Sequence, residues 1–333
     1  MALNSNERLQ EAFSLALEDR SQGYSDLVSN SNVILYTMKK NGQWKSFSGP
    51  TIRERLLYAE SGTYVRYAGY QYLNPQPAEL IGDAEFLPKM AAVSVTLSGE
   101  EILKNSGTNQ IMDVMETHID AAEQELQDRF VEDLHSDGLA ANQIGGLQMA
   151  IPTTPSSGLY GGISRVDYAQ WRTGSYDVNS AFSGITGITS TTVKSVFDQI
   201  MIRHNRGPKG PNLIVAGVEH YTAYTAATVA IQRINDENDL GKMGFTNLKY
   251  YGAGKSVDVV LEGGIGSAMP ANTTYFIDSK SLKYRYNEQR NFTKFGGKQA
   301  PINQDAIVQH IGLMGNLVMN NPLHMAKLYD SSP

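Results

Sequence analysis

Ile111, Met115, Ile119, Ala122, Leu126, Phe130 and Leu134 recur every three or four residues, with no Gly or Pro until Gly138. That spacing draws one apolar stripe along an α-helix. A helix from Thr108 to Asp137 would be about 45 Å long at 1.5 Å per residue. It is a strut, longer than the usual globular helix, and other elements have to be arranged around it. Its remaining faces carry Asp113, Glu116, Asp120, Glu123, Glu125, Asp128, Glu132, Asp133 and Asp137 against a lone Arg129. Nine negative charges and one positive repel one another along the rod, so a neighbour or solvent must absorb the field. The carboxylates are spread round the axis, which favours a solvated or docking surface over a metal site.

The segments on either side differ in kind. Leu9, Phe13, Leu17 and Leu27 suggest an amphipathic N-terminal arm, and NVILYTMKKNGQWKSF reads as a hairpin turning at Asn41-Gly42. TYVRYAGYQY alternates as a strand, yet Tyr and Arg stand on both of its faces. Those residue types are enriched where protein surfaces meet, so the segment predicts a projecting ribbon that awaits a partner. MAAVSVTL is a strand, and Ser98 with Glu101 spells a capping box for a short helix EEILKN. From Leu139 to Ser190 the chain is rich in Gly, Ser, Thr and Pro. Thereafter TSTTVKSVFDQIMIRH, PNLIVAG, EHYTAYTAATVAIQRI, GFTNLKYYGA, VDVVLEGG and TTYFIDSKSLKYRY alternate helix with strand, giving a mixed α/β, α+β chain. QDAIVQHIGLMGNLVMNNPLHMAKLY reads as two strands turning near Met314-Gly315. These are expected to pair with MAAVSVTL, with the α/β part inserted between.

Composition narrows the chemistry. Lys and Arg number 28 against 34 Asp and Glu, a net charge of -6, which disfavours intimate grip on nucleic acid. There is no cysteine, so disulfides, thiolate metal sites and cysteine nucleophiles are excluded. No apolar run of 18 residues occurs, and no membrane role is expected. GAGKS at 252–256 fails as a phosphate loop because Lys249 stands where the first glycine belongs, and a turn between strands is expected. GGIGSA at 263–268 continues into MPANTTYF, not into a phosphate-binding helix. The six histidines are scattered, and no HExxH or GxSxG occurs. No catalytic, cofactor-binding or metal-ligating residue is expected.

The order of these pieces carries a resemblance. An N-terminal arm, a long hairpin, AAVSVTLSGEEILKNSG leading into the acidic helix, IGGLQMAIP, GGISRVDYAQWR, PNLIVAGVEHYTAYTAATVAIQRI, GFTNLKYYGA and VVLEGGIGSAMPANTTYFIDSKSLKYR follow one another from about residue 30 to 328. This resembles a tailed-bacteriophage major capsid protein of the Hong Kong 97 type. The resemblance implies an N-terminal arm at 1–34, an extended loop at 35–85, a peripheral domain at 86–140 and 301–333 with a spine helix at 108–137, and an axial domain at 141–300. The peripheral sheet maps to 88–98 with 302–329. It further implies self-assembly into hexamers and pentamers of an icosahedral shell, built in the host bacterial cytoplasm, that encloses double-stranded DNA in the virion without reading its sequence. Portal, scaffolding and decoration proteins are the implied partners. The short stretch before the hairpin leads to the expectation of a separate scaffold or a processed chain. An encapsulin-like compartment and, from another class, a nucleotide-binding α/β enzyme are the alternatives.

Candidate contacts between subunits follow from the ribbon and the rod. They are Lys39, Lys40, Trp44, Lys45, Arg53, Arg55, Tyr64, Arg66, Tyr67 and Tyr70 on one side, and Asp113, Glu116, Asp120, Glu123 and Asp128 on the other. Residues 39–66 hold six cations against Glu54 and Glu60, net +4, while the helix is net -8. Such opposition would steer assembly and make it sensitive to salt. The pairs Gly145-Gly146 and Gly161-Gly162 would bracket the crossing from the helix into the second half, where tight turns are needed. Trp171, with Tyr168 and Arg172, would anchor that crossing, by packing inside the subunit or against a neighbouring one.

Overall fold

The computed structural model describes residues 32–57, 64–71, 81–100, 108–228, 248–263, 268–299 and 305–331. The expected arm at residues 6–28 lies outside them, as do residues 101–105 of the expected short helix EEILKN, of which Glu100 is helical.

The first departure from expectation comes at once. Val33–Lys40 is not the first strand of a hairpin but a helix, α1. Asn32 caps it, its Oδ1 accepting from the Ile34 amide at 2.8 Å, and Lys39 and Lys40 sit in the last turn, where cations complement the helix dipole. The β-branched Val33 and Ile34, which suggested a strand, are instead buried together with Leu35 and Met38. Burial outweighs local propensity here. Asn41-Gly42 does form a turn, but it leads to β1 (Trp44–Phe47), which runs parallel to a distant strand, β12 (Leu282–Asn287), with Trp44 opposite Tyr284.

The next strands, β2 (Ile52–Leu57) and β3 (Ile81–Phe86), pair antiparallel as an isolated ladder. Between them, residues 64–71 carry no strand pairing; that part of TYVRYAGYQY is extended or turning chain and not a ladder. The projecting segment therefore begins at β2, and residues 35–47 belong to the body.

β4 (Lys89–Ser98) pairs antiparallel with β14 (Ala306–Met319) from Ser98–Ala306 to Lys89–Gly315, the pairing expected from sequence. β14 is one continuous strand, so there is no turn at Met314-Gly315. Gly315 is demanded by crowding: a Cβ there would lie 2.6 Å from both the Arg285 carbonyl oxygen and the Tyr284 hydroxyl. On its other edge β14 pairs with β12 and with β13 (Thr293–Gln299). The long helix α2 (Thr108–Leu134) lies across β4 and ends three residues before the expected Asp137. Ile119, Ala122, Leu126, Phe130 and Leu134 of its stripe are buried in a core shared with Val95, Leu97, Ile311 and Leu313.

The chain then crosses into a second sheet through two short strands, β5 (Leu159–Tyr160) and β6 (Ile163–Ser164). The second sheet has the order β7-β15-β11-β8-β10-β9, comprising β7 (Gly174–Asp177), β8 (Leu213–Ala216), β9 (Leu248–Gly252), β10 (Lys255–Leu261), β11 (Thr273–Ile277) and β15 (Ala326–Tyr329). β15 corrects the mapping of residues 302–329 to one peripheral sheet, because the chain end inserts between β7 and β11 of this second sheet. Helices α3 (Val193–His204) and α4 (Val218–Thr228) accompany it. Val196, Phe197, Ile200 and Tyr224 pack with Phe276 and Val259 in a second core. β8 and β11 are buried along their whole length because the sheet's two faces serve two cores. Tyr275 faces the first and Phe276 the second. GAGKS is the β9–β10 turn, with Ala253 and Gly254 both at positive φ as a tight two-residue hairpin requires. Among the described residues no helix is long and apolar enough to cross a membrane.

Candidate functional site

The β2–β3 ribbon is built by its alternation. Ile52, Leu56, Ala84 and Phe86 are buried on one side. Glu54, in line with them, is also buried, and the sheet beneath supplies its partners. Lys283 Nζ reaches its Oε2 at 2.7 Å, and Arg285 Nε reaches its Oε1 at 2.5 Å. On the outer face Arg53 pairs with Glu85 at 2.9 Å, and Arg55 stands opposite Asp83. β3 is pinned independently: the Glu85 amide donates to the Gly161 carbonyl at 2.9 Å, and Phe86 meets Tyr160 edge-on with centroids 5.0 Å apart.

That second anchor is the crossing. Gly161 has φ +59°, and a Cβ would fall 2.7 Å from the Phe86 ring. Gly162 shares the positive φ. Gly146 lies so close under the end of α2 that a Cβ would come within 2.6 Å of the Leu134 carbonyl oxygen, while the Gly145 amide donates to Asn316 Oδ1 at 3.0 Å. Trp171 is buried, and its Nε1 donates to the Tyr160 carbonyl at 2.9 Å. Arg172 holds the Arg165 carbonyl through Nε, and Tyr168 is exposed at 39%. Arg165 was not singled out from sequence, yet it is buried over the Tyr160 ring and donates to the Ala150 carbonyl at 2.8 Å. Burial lowers its pKa and pushes that of the Tyr160 hydroxyl up. A buried Arg in a polar loop has no periodic signal by which to find it.

Beyond its pinned base the ribbon is uncovered. Tyr64 is 83% exposed, Tyr67 63%, Tyr70 106% and Val65 48%, and Arg66 is exposed among them. Soluble chains seldom leave apolar residues so concentrated in the open. On the long helix, Ala121, Gln124, Glu125, Asp128, Arg129 and Glu132 line, with Ala268, an open groove of about 600 Å³. Arg129 donates to Glu132 at 2.7 Å, and that bond raises its pKa. Asp120 is exposed and Glu123 half-buried, while the side chains of Asp113 and Glu116 lie outside the described residues.

Several expected contact residues are not part of the ribbon. Trp44 packs inside the subunit, 4.7 Å from the Tyr284 ring and 6.4 Å from that of Phe130. Lys39 and Lys40 end α1, and Lys45 lies on β1 in the body. The charge count changes with them. From Ile52 to Phe86 the chain carries Arg53, Arg55 and Arg66 against Glu54, Glu60, Glu79, Asp83 and Glu85, net -2. The net positive charge counted over residues 39–66 therefore rests on Lys39, Lys40 and Lys45 of the body and not on the segment between β2 and β3. Among the described residues no three metal-ligating side chains converge.

No family model matches the chain, and no curated protein sequence matches it. Solved structures do. A chain of the cyanophage A-1(L) capsid asymmetric unit superposes with a TM-score of 0.63 at 16% identity, over 89% of this chain and 93% of that one. The satellite phage P4 procapsid with its size determination protein gives 0.52 at 8% identity, over 92% and 96%. The capsid of an empty GTA particle gives 0.51 at 8% identity, over 89% and 90%. The architecture is therefore that of shell-forming proteins. More narrowly, it is the Hong Kong 97-type fold of tailed-phage capsid proteins, over about nine-tenths of the chain.

Proposed function

We propose that this chain is the major capsid protein of a tailed double-stranded DNA bacteriophage. In this reading it assembles in the bacterial cytoplasm into hexamers and pentamers, which close an icosahedral shell. The shell encloses the genome without reading its sequence, beside portal, scaffolding and decoration proteins. The part is structural, not catalytic. The observation that carries the reading is an exposed tyrosine run on a ribbon whose base is fixed, within a fold shared over 89% of this chain with a phage capsid chain. A surface of that kind is completed by another molecule. The α2 strut, peripheral sheet and α/β sheet take the places of spine helix, peripheral domain and axial domain.

Cryo-electron microscopy of particles formed by the full chain, with and without co-expressed phage proteins, tests this. Hollow icosahedral particles that fill with nuclease-protected DNA in a phage background support it. Particles that instead retain one co-purifying enzyme indicate an encapsulin-like compartment. A chain that stays monomeric under every assembly condition overturns both.

A further inference from the structure

Asn32, His135 and Glu262 come from three separate elements and meet in the interior. Asn32 precedes α1, His135 follows α2, and Glu262 follows β10. Asn32 Nδ2 donates to Glu262 Oε1 at 2.6 Å, and His135 Nε2 lies 3.3 Å from the same oxygen. All three residues are buried, at 2%, 1% and 7% exposure. The other end of the Asn32 amide caps α1 through Ile34, so one side chain both starts the helix and grips the carboxylate.

We infer that these residues form a latch coupling the start of α1 to the end of the long helix and to the α/β sheet. The inference stands on this buried geometry and does not require the shell reading. A buried carboxylate is tolerated only while donors face it. Withdrawing Asn32 leaves Glu262 with His135 alone, so displacement of Asn32 itself is felt at the last turn of α2. The far end of α1 has its own tie, Asn41 Nδ2 to Ser279 Oγ at 2.7 Å, and opening at Asn32 leaves α1 held there. Toward a carboxylate His135 Nε2 must donate; its Nδ1 has no hydrogen-bond partner, so where residue 262 offers a donor instead, the ring proton can move to Nδ1 and leave Nε2 to accept.

Asn32→Asp separates latch from cap. Aspartate caps a helix as well as asparagine does, but here it sets a second carboxylate against Glu262. Amide hydrogen exchange on the full-length chain is the readout. Asn32→Asp is expected to speed exchange in Val33–Lys40 at least tenfold while Leu213–Ala216 stays as in the parent. Combining it with Glu262→Gln reverses donor and acceptor, and is expected to restore most of the protection. The latch is overturned if Asn32→Asp leaves α1 as protected as the parent. It is equally overturned if exchange rises to the same degree in Leu213–Ala216, or if the reversed pair is no better than Asn32→Asp alone.

Discussion

Glu54 and Arg285, far apart in the chain, are joined by a buried hydrogen bond of 2.5 Å from Nε to Oε1, with Lys283 on the other carboxylate oxygen. This pairing fixes how the ribbon leaves the body, because Glu54 lies on β2 while both cations lie on β12. Removing the carboxylate strands two cations that are themselves largely buried. Glu54→Ala should cost about 3 kcal/mol of stability and speed amide exchange along β2, measured by urea unfolding and hydrogen exchange. If β2 exchanges as slowly as before, the ribbon's direction is set by Phe86 and Gly161 alone.

Gly315 makes a second prediction. A methyl group there has no room against Arg285 and Tyr284. Gly315→Ala should destabilise by about 2 kcal/mol, the usual cost of overpacking a tight site, and its melting curve should shift down accordingly. Had the glycine served a turn, alanine at a neighbouring position would do as much harm. Met314→Ala, which removes atoms from a half-buried side chain, should cost less than Gly315→Ala.

That glycine shows where the sequence could and could not be read. The stripe of α2 and the β4–β14 pairing were legible because each repeats a period over ten or more residues, long enough for tertiary context not to overturn it. The alternation of the second half was legible for another reason: short apolar or β-branched runs of four to seven residues stand between segments of helical spacing. Val33–Lys40 was not, since its β-branched residues and the Asn-Gly turn point to a hairpin, and only the hidden core that buries Leu35 and Met38 decides for helix. Gly315 looked like a turn because close packing against a strand remote in sequence leaves no local mark. The exposed tyrosines were found by residue type, but the charge of their ribbon was misjudged. A window over residues 39–66 takes in Lys39, Lys40 and Lys45 of the body and stops before Glu79, Asp83 and Glu85 further along the sequence.

Acid should weaken the α/β part. Burial depresses the pKa of His220 from its ordinary 6.5 to about 4, against a smaller opposing pull from Asp330. Its Nδ1 is 2.8 Å from Thr274 Oγ1, and its Nε2 has no partner to receive a proton's charge. The unfolded chain takes up the proton near 6.5 and the folded chain only near 4. Neutral His220 therefore supports the fold fully above about pH 6.5 and loses that support progressively down to about pH 4, about 3 kcal/mol in all. His204, lowered chiefly by burial, adds a loss of the same sign. Urea midpoints measured from pH 7 to pH 4 should fall, and His220→Gln should flatten the fall. A parent curve no steeper than that of the variant would remove His220 from the account.

The tyrosine run offers the sharpest separation of assembly from folding. Tyr64, Tyr67 and Tyr70 are exposed, so changing them to Ser should leave the stability of the unassembled chain within about 0.5 kcal/mol of the parent. The same triple variant should fail to form closed particles, because the lost rings are the apolar surface a neighbouring molecule would cover. Sedimentation of assembly reactions at equal concentration measures the second effect, and urea unfolding of the dispersed chain measures the first. Particles in normal yield from the triple variant would place the interface elsewhere, with the groove on α2 between Ala121 and Glu132 as the next surface to change. A large loss of stability would mean that the rings are covered within the subunit.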